Sequence, residues 1–500
     1  MASLAQGVLA FQYEEDGGQC GMTSLAGLGA YLDLIEASGL RGEIERHVGL
    51  RTAGQGWRDP QMILSLVLLN LAGGDCVEDL RVLESDAGLS RLLQRLDRRG
   101  QGRRGRRAQA RRWRRPQRRS VPSPSAVFRY LEGFHDETQE AERPQAGAFI
   151  PRPGAGLVGL RRVHAGLLAF AQRHAPQTTA TLDIDATLVA SEKREARFCY
   201  QKFRAYQPVN VWWAEQELVV HTEFRDGNVP AGFDKLRVLE EALGYLPPGV
   251  ERVRLRADAA GYQHDLLAFC DGGRSRFGRI EFAVGCPVDA ALKAAVATVE
   301  ESAWQALLGE SGQQWAEVCF VPGELARSKS GREYRYLAIR EPLRQQVLPG
   351  IEVPDPDCPV VELDQVRYKL RAVVTNVDGP GEAVIAWYRQ RCGRSEEVHA
   401  VMKDDFAGGQ LPSGRFGANA AWWAIMMLAL NLHQLMKRLV LGGAWVHRRM
   451  KAIRFHLICL PARVVERART LRLRLARGHP SLDLLLRARQ RILQLAACTG

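Results

Sequence analysis

Apolar residues recur along the chain with two different periods, and the change of period divides it into regions. Residues 28–96 carry apolar positions at helical spacing, as in GLGAYLDLIEASGL and PQMILSLVLLNLAGG. From residue 180 to about 287, strand-like alternation is interrupted by helical segments. Residues 313–378 are again strand-like, and helical spacing returns after DGPGEA. The pattern predicts helical regions on both sides of an α/β core with a β-rich insertion.

The segments between residues 180 and 287 follow one another in an informative order. TLDIDATLVAS opens the series, VNVWWAEQELVVHTEF reads as a hairpin, and GFDKLRVLEEALGYL reads as a helix. VERVRLRAD is a strand that ends at Asp258, and a helix and a further strand, RIEFAVGCP, follow it. Three early strands, then helix, strand, helix and strand, predict an α/β sandwich of the RNase H type.

The composition narrows the class of protein. The 500 residues carry a formal net charge of +13, which favours a polyanionic partner such as nucleic acid. The ten cysteines are scattered without a C-x-x-C pair, and no signal peptide is recognised, so a reducing cytoplasm is expected. The longest apolar run, ANAAWWAIMMLALNL, is short for a membrane span and contains Asn419 and Asn431. We therefore expect a buried helix there and no membrane association.

An arginine-rich block, residues 98–120, contains no acidic residue and one aromatic residue, Trp113. Such a block repels itself, so it is expected to lie along DNA phosphates; a solvated linker is the alternative. The arginines expected to contact DNA are Arg103, Arg104, Arg106, Arg107, Arg111, Arg112, Arg114 and Arg115.

Several carboxylates are placed where they could act together. Asp183 and Asp185 are two apart on one strand, so their side chains share a face. Asp258 ends another strand, where open α/β sheets place ligands, and Glu396 or Glu397 supplies a third acid on a late helix. Carboxylates from separate elements are what a two-metal phosphoryl-transfer site needs, because Mg²⁺ prefers oxygen ligands.

These segments resemble the DDE transposases of bacterial insertion sequences. The resembling stretches are LDIDAT, RDGN, RADAAGY, YRQRCGRSEEVHAVMK and the NAAWW helix, together with LLNLAGGDCVEDLRVLESD and SPSAVFRYL near the N-terminus. The similarity is greatest to the 1380 family, within the group that shares a Y-x-x-R-x-x-x-E-x(6)-K signature. It implies an RNase H-like catalytic core with a β-rich insertion, and DNA cleavage and joining at element ends.

The resemblance also implies roles for individual residues. The family's first acid lies in a D-x-T motif, which selects Asp185 and leaves Asp183 as a supporting acid. Asp258 matches the second acid, and the spacing to Lys403 selects Glu396 as the third, with Glu397 as the alternative. All three acids would hold two Mg²⁺ ions, with Mn²⁺ as a substitute.

The signature also assigns DNA contacts to Tyr388, Arg391 and Lys403. Tyr388 and Arg391 lie one residue farther from Glu396 than the signature requires, and Gly393 marks the extra residue. Arg225, Asn228, Arg254 and Arg256 are further candidate phosphate contacts.

The resulting hypothesis is a Mg²⁺-dependent transposase that binds element ends and target DNA, as a homodimer on DNA, in the bacterial cytoplasm at the nucleoid. The alternatives are an RNase H-like nuclease without strand transfer and an inactive DNA-binding derivative. The expected regions are 1–97, helical, for DNA binding or dimerisation; 98–155, the arginine-rich arm, a short helix and a linker; 156–299, the first part of the core; 300–378, the β-rich insertion; 379–440, the last core helices with the third acid; and 441–500, a basic helical tail.

Overall fold

The fold is described from a computed structural model that covers residues 21–51, 55–97, 102–113, 117, 119–144, 147–310, 312–323, 334–343, 358–467 and 470–498. Within the arginine-rich block, the backbone of residues 103, 106 and 109 is described but their side chains are not.

The N-terminal part is helical, as the apolar spacing predicts. After a short strand, β1 (Met22–Thr23), the helices are α1 (Leu28–Ala37), α2 (Leu40–His47), α3 (Asp59–Ala72), α4 (Leu80–Ser85), α5 (Ala87–Asp97), α6 (Arg103–Arg111), α7 (Pro124–Glu132), α8 (Glu137–Ala141) and α9 (Ala155–His174). The Ser123 side chain accepts a hydrogen bond from the Ala126 amide and thereby caps α7.

The middle of the chain supplies the strands. They are β2 (Thr179–Ala186), β3 (Val189–Ala190), β4 (Arg197–Phe198), β5 (Arg204–Tyr206), β6 (Val209–Trp213), β7 (Leu218–Glu223), β8 (Arg252–Ala257), β9 (Glu281–Cys286), β10 (Gln305–Ala306), β11 (Gln314–Val318), β12 (Arg335–Pro342), β13 (Val360–Leu363) and β14 (Val366–Thr375). The helices between them are α10 (Lys235–Tyr245), α11 (His264–Asp271) and α12 (Ala290–Ala297).

The C-terminal part begins with α13 (Gly381–Arg389) and α14 (Arg394–Ala400), which a π-helical turn extends to Asp405. It continues with α15 (Phe416–Leu435), extended to Leu441, α16 (Met450–Ile453), strands β15 (Ala462–Arg467) and β16 (Thr470–Arg474), and α17 (Leu482–Ala497). A helix was expected for the whole tail, and this is wrong at β15 and β16. Leu and Arg alternate in TLRLRL, which is the period of a strand.

One large mixed sheet organises the protein. Its strand order is β10-β11-β12-β14-β9-β8-β2-β6-β7, and β13 pairs with β14. β2 is parallel to β8, and β8 to β9, whereas β2, β6 and β7 pair antiparallel. The expected β-rich segment continues this same sheet, because β14 pairs with β9 and covers what would otherwise be a free edge.

Helix α15 crosses the core, and all of its residues except Ala424 are buried. The segment Phe416–Leu441 is long and apolar enough to span a membrane, but it is mostly enclosed by the protein, as the expectation of a buried helix requires. The Asn431 amide accepts a hydrogen bond from the Val219 N–H at 2.9 Å and donates to the Val219 carbonyl at 2.8 Å. Through these two hydrogen bonds the Asn431 side chain binds the backbone of β7, which is the last strand of the sheet.

Candidate active site

Asp185 and Asp258 lie at the ends of two neighbouring parallel strands. Asp185 is the penultimate residue of β2, and Asp258 directly follows β8. In the register of these strands Ile184 lies opposite Ala257, so both acids occupy the carboxyl edge of the sheet, where α/β proteins place ligands. Their side chains are 20% and 40% exposed, respectively. They form a carboxylate pair that solvent can reach.

The two carboxylates influence each other electrostatically. Burial raises the pKa of Asp185 to about 6; the Asp258 charge acts in the same direction, and Arg391 and Lys235 oppose it. Two nearby carboxylates favour a cation between or beside them, because a positive charge offsets their mutual repulsion.

Each carboxylate is in contact with one buried cation. Arg391 Nη2 lies 3.2 Å from Asp185 Oδ2, and Lys235 Nζ lies 3.0 Å from Asp258 Oδ1. Lys235 is fully buried and the Arg391 side chain is 7% exposed. Burial alone would lower the pKa of Arg391, but Asp185, Tyr388 and Asp258 together raise it. The Arg391 guanidinium therefore stays charged beside Asp185, and the Lys235 side chain lies against Asp258.

Asp183 shares the face of Asp185 but has different surroundings. Arg256 donates two hydrogen bonds to it, at 2.6 Å and 2.8 Å, and both side chains are at most 4% exposed. Arg256 also donates to the Trp387 carbonyl at 2.8 Å, near the end of α13. The Arg254 guanidinium lies over the Trp387 ring, 3.8 Å from its centroid. The Asp183–Arg256 pair thus holds the end of α13, and Arg391 lies two residues beyond that end.

The helical region predicted after DGPGEA consists of two helices, α13 and α14, with a break between them. Gly393 has φ +74°, a conformation that favours glycine, and it lies two residues after Arg391. A Cβ atom on Gly285 would lie 2.9 Å from the Tyr388 hydroxyl, so Tyr388 packs closely against β9. Burial raises the pKa of Tyr388. The break explains why Arg391 can turn towards β2 while α14 follows a separate direction.

Helix α14 presents different residues on its two sides. Burial lowers the pKa of His399 to about 4; Lys403 and Arg391 lower it further, and Asp258 opposes them. Glu396 lies three residues before His399, on the same side of the helix. Glu397 instead lies 3.9 Å from Arg394. Both glutamates are exposed.

The arginine-rich block contains a helix, α6, on which Arg104, Arg107 and Arg111 are exposed. Arg112 donates to the Gly56 carbonyl at 3.1 Å, and Trp113 packs edge-on against Trp57 with ring centroids 5.1 Å apart. The end of the block is therefore anchored to the N-terminal helices. The side chains of Arg103 and Arg106, and the whole of Arg114 and Arg115, lie outside the described residues.

Two carboxylates are the donors that this site offers to a metal ion. Among the residues described, no three His, Cys, Asp or Glu side chains are grouped to hold one. Asp185 and Asp258 nevertheless fit a hard divalent cation, since they supply oxygen ligands from rigid strand ends and carry unfavourable mutual repulsion. Asp185 would have to exchange its contact with Arg391 for such a cation.

One residue of the site, Lys235, was not identified from the sequence, and two predicted phosphate contacts have other partners. Lys235 lies on the buried face of α10 with Val238, Leu239 and Ala242. A lysine on an otherwise apolar helix face is the sequence signal that could have identified it as a buried cation. Arg225 and Arg256 were expected to contact phosphate; Arg225 is buried against Glu223 and Arg256 against Asp183.

Comparison with known proteins gives the class of the protein. A family model described as "Transposase DDE domain group 1" matches residues 10–497. The chain belongs to this family of DDE transposases, which are generally divalent-metal dependent.

Among solved structures, the chain is similar to the piggyBac transposase in its synaptic complex with hairpin DNA, with 10% sequence identity and a TM-score of 0.38. That match covers 86% of this chain and 78% of the other. No curated protein matches this chain.

Proposed function

We propose that this protein cleaves DNA at the ends of an insertion sequence and joins those ends to target DNA. The observation that carries the proposal is the pair Asp185 and Asp258, at adjacent strand ends, in a chain of the DDE transposase family. The closer relationship proposed is to the 1380 family, on the motifs quoted above.

The sheet topology supports an RNase H-like core. Strands β7, β6 and β2 are antiparallel neighbours, and β8 and β9 continue in parallel on the other side of β2. This is the order that the sequence predicts for the RNase H type, with the first acid on the central strand. Strands β10–β14 would then be the β-rich insertion.

In the proposed site Asp185, Asp258 and Glu396 hold two Mg²⁺ ions. Glu396 is preferred to Glu397 because it shares the side of α14 that carries His399, whose pKa responds to Asp258. Bound divalent cations would activate the attacking oxygen and stabilise the leaving oxygen. Arg391 and Lys235 hold the carboxylates in place. Contacts with DNA phosphates are proposed for Tyr388, Arg391 and Lys403 on the signature alone.

In the proposed reaction, water hydrolyses a phosphodiester at the element end and frees a 3′-OH. That hydroxyl then attacks a target phosphodiester in line, with no covalent protein intermediate. The exposed Arg104, Arg107 and Arg111 and the net charge of +13 support DNA binding by the N-terminal part, as a homodimer that brings two ends together.

The test replaces each acid of the pair. Asp185→Ala and Asp258→Ala should reduce Mg²⁺-dependent cleavage of a labelled element-end duplex by roughly a thousandfold or more, while end binding changes little. Asp483→Ala, which removes an exposed carboxylate on α17, is the matched control and should cleave normally. Full cleavage by Asp185→Ala would refute the assignment.

A second assay separates strand transfer from cleavage alone. Pre-cleaved ends with a free 3′-OH should be joined to a target plasmid by the wild-type protein. Cleavage without joining would instead identify a nuclease, and binding without metal-dependent cleavage would identify an inactive derivative.

A further inference from the structure

A small three-stranded sheet is separate from the large sheet, and its two faces differ. Its strands β1, β15 and β16 pair antiparallel in that order. One face carries Ala462, Val464 and Leu473, and helix α5 packs against β1 and β15. Ala462 and Val464 are buried there, and Leu473 is half-buried. This face belongs to the core of the N-terminal helices, and the opposite face is exposed.

The register of the strands defines the residues of the exposed face. Arg463 of β15 lies directly opposite Arg474 of β16. Side chains directly opposite each other in a sheet share a face, and so do side chains two apart on one strand. The exposed face of β15 and β16, called the arginine face below, therefore consists of Arg463, Val465, Arg467, Thr470, Arg472 and Arg474. None of these six residues is acidic, and the four arginines are exposed.

This arrangement is unfavourable in the free protein. Arg463 and Arg474 are like charges directly opposite each other across two strands, and such pairs destabilise a sheet. Arg472 adds a third charge on the same face, about 7 Å along β16 from Arg474. A polyanion bound to the arginine face would remove this repulsion.

The chemistry of the arginine face favours a phosphate backbone as that polyanion. Guanidinium groups remain charged at physiological pH and bind phosphate oxygens through paired hydrogen bonds. Recognition of bases uses varied side chains, whereas four identical cations match uniform phosphates. A membrane surface is a poorer partner, because interfacial elements insert apolar side chains and Val465 is the one apolar residue among the six.

We propose that the arginine face binds the phosphate backbone of duplex DNA of any sequence, as a DNA-contacting surface in addition to the site of Asp185 and Asp258. The proposal rests on the proposed function in taking DNA as the polyanion. It assigns a role to a hairpin whose strands and register only the folded structure reveals.

The test measures the salt dependence of duplex binding by the full chain, with fluorescence anisotropy of a labelled duplex of random sequence. The double variant Arg472→Gln/Arg474→Gln should bind about tenfold more weakly at about 0.1 M salt. The slope of log affinity against log salt concentration should become shallower by about two, because each phosphate contact contributes about one. A second duplex of unrelated sequence should show the same losses.

The matched control is Arg173→Gln/Arg252→Gln, which removes the same charge from two exposed positions. Arg252 is the first residue of β8, at the end of that strand opposite to Asp258. This control should keep the wild-type slope. The variant Arg472→Gln/Arg474→Gln should unfold at the wild-type temperature or above, because the repulsion from Arg463 is relieved.

The outcomes separate the arginine face from the proposed function. An unchanged slope in Arg472→Gln/Arg474→Gln, an equal change in the control, or a loss confined to one duplex sequence would overturn the assignment and leave the proposed function intact. Loss of binding to phosphatidylserine vesicles with unchanged duplex binding would assign the face to a membrane instead. Absence of duplex binding by the wild type would contradict the proposed function, and the arginine face with it.

A second measurement uses the wild type alone, in case the double variant does not fold. Phenylglyoxal modifies exposed guanidinium groups, and the modified residues are mapped by mass spectrometry. Bound duplex should protect Arg472 and Arg474, while Arg252 should remain reactive. Equal modification of Arg472 and Arg474 with and without duplex would overturn the proposal.

Discussion

Asp183 and Asp185 lie two residues apart on β2, on one face, and each contacts an arginine, yet the two pairs differ. Asp183 is 4% exposed and accepts two hydrogen bonds from Arg256. Asp185 is 20% exposed and has one contact with Arg391, at 3.2 Å. The Asp183–Arg256 pair is buried, whereas the Asp185 carboxylate reaches solvent at the edge of the sheet beside Asp258.

The difference shows how one strand can carry one acid that is enclosed and one that solvent can reach. A buried bidentate pair cannot exchange its partner without leaving a charge uncompensated in the interior. A single contact at an open edge can be exchanged for another cation. The distinction lies in the partner and its access to solvent, since the two aspartates are chemically identical.

The largest expected effect concerns stability. Asp183→Asn should lower the free energy of unfolding by about 3 kcal/mol, because Arg256 would be left buried without its counter-ion. Asp185→Asn should cost less, about 1 kcal/mol, since Asp185 is partly exposed and accepts one hydrogen bond from Arg391 rather than two. Urea unfolding at pH 7 measures both. Equal losses would mean that the Asp185–Arg391 pair stabilises the fold as much as the Asp183–Arg256 pair does.

A smaller effect is expected on metal binding. Arg391→Gln should raise the affinity for Mn²⁺ about tenfold, because the guanidinium competes for the Asp185 carboxylate. Isothermal titration calorimetry gives the affinity. Arg389→Gln, on α13 but with partners outside the site, is the control and should change little. A weaker affinity in Arg391→Gln would show that Arg391 supports the metal site.

The third expected effect is a change of metal affinity with pH. Asp185 has a pKa of about 6, so it is mostly ionised at pH 7 and mostly protonated at pH 5. Protons then compete with the metal, and the affinity for Mn²⁺ should fall about tenfold from pH 7 to pH 5. His399 has a pKa of about 4 and remains largely neutral over that range. Asp185→Asn should abolish this fall in affinity between pH 7 and pH 5. A fall of the same size in the variant would assign the pH dependence to another group.

The strands of the acidic site could be predicted from the sequence, because alternation of apolar residues specifies which face each side chain occupies. TLDIDATLVAS, the hairpin of β6 and β7, and the strand ending at Asp258 all have the predicted form. The partners could not be predicted in this way. Lys235 and Arg256 reach the acids through tertiary packing between elements distant in the chain, and no local period encodes such a contact.

The sequence analysis did not predict the hairpin of β15 and β16, for a different reason. Arginine and leucine favour helices, and that propensity outweighed the alternation in TLRLRL. Tertiary pairing decides the outcome, since β16 pairs with β15 and β15 with β1.

The pairing of β1 with β15 joins Met22 to Arg463, positions separated by nearly the whole described chain. During synthesis the N-terminal strand therefore has no partner until the ribosome has made residues 462–467. Contacts this distant in sequence close late and slow the final folding step. Expression of residues 21–97 alone would therefore leave β1 without its partner strand.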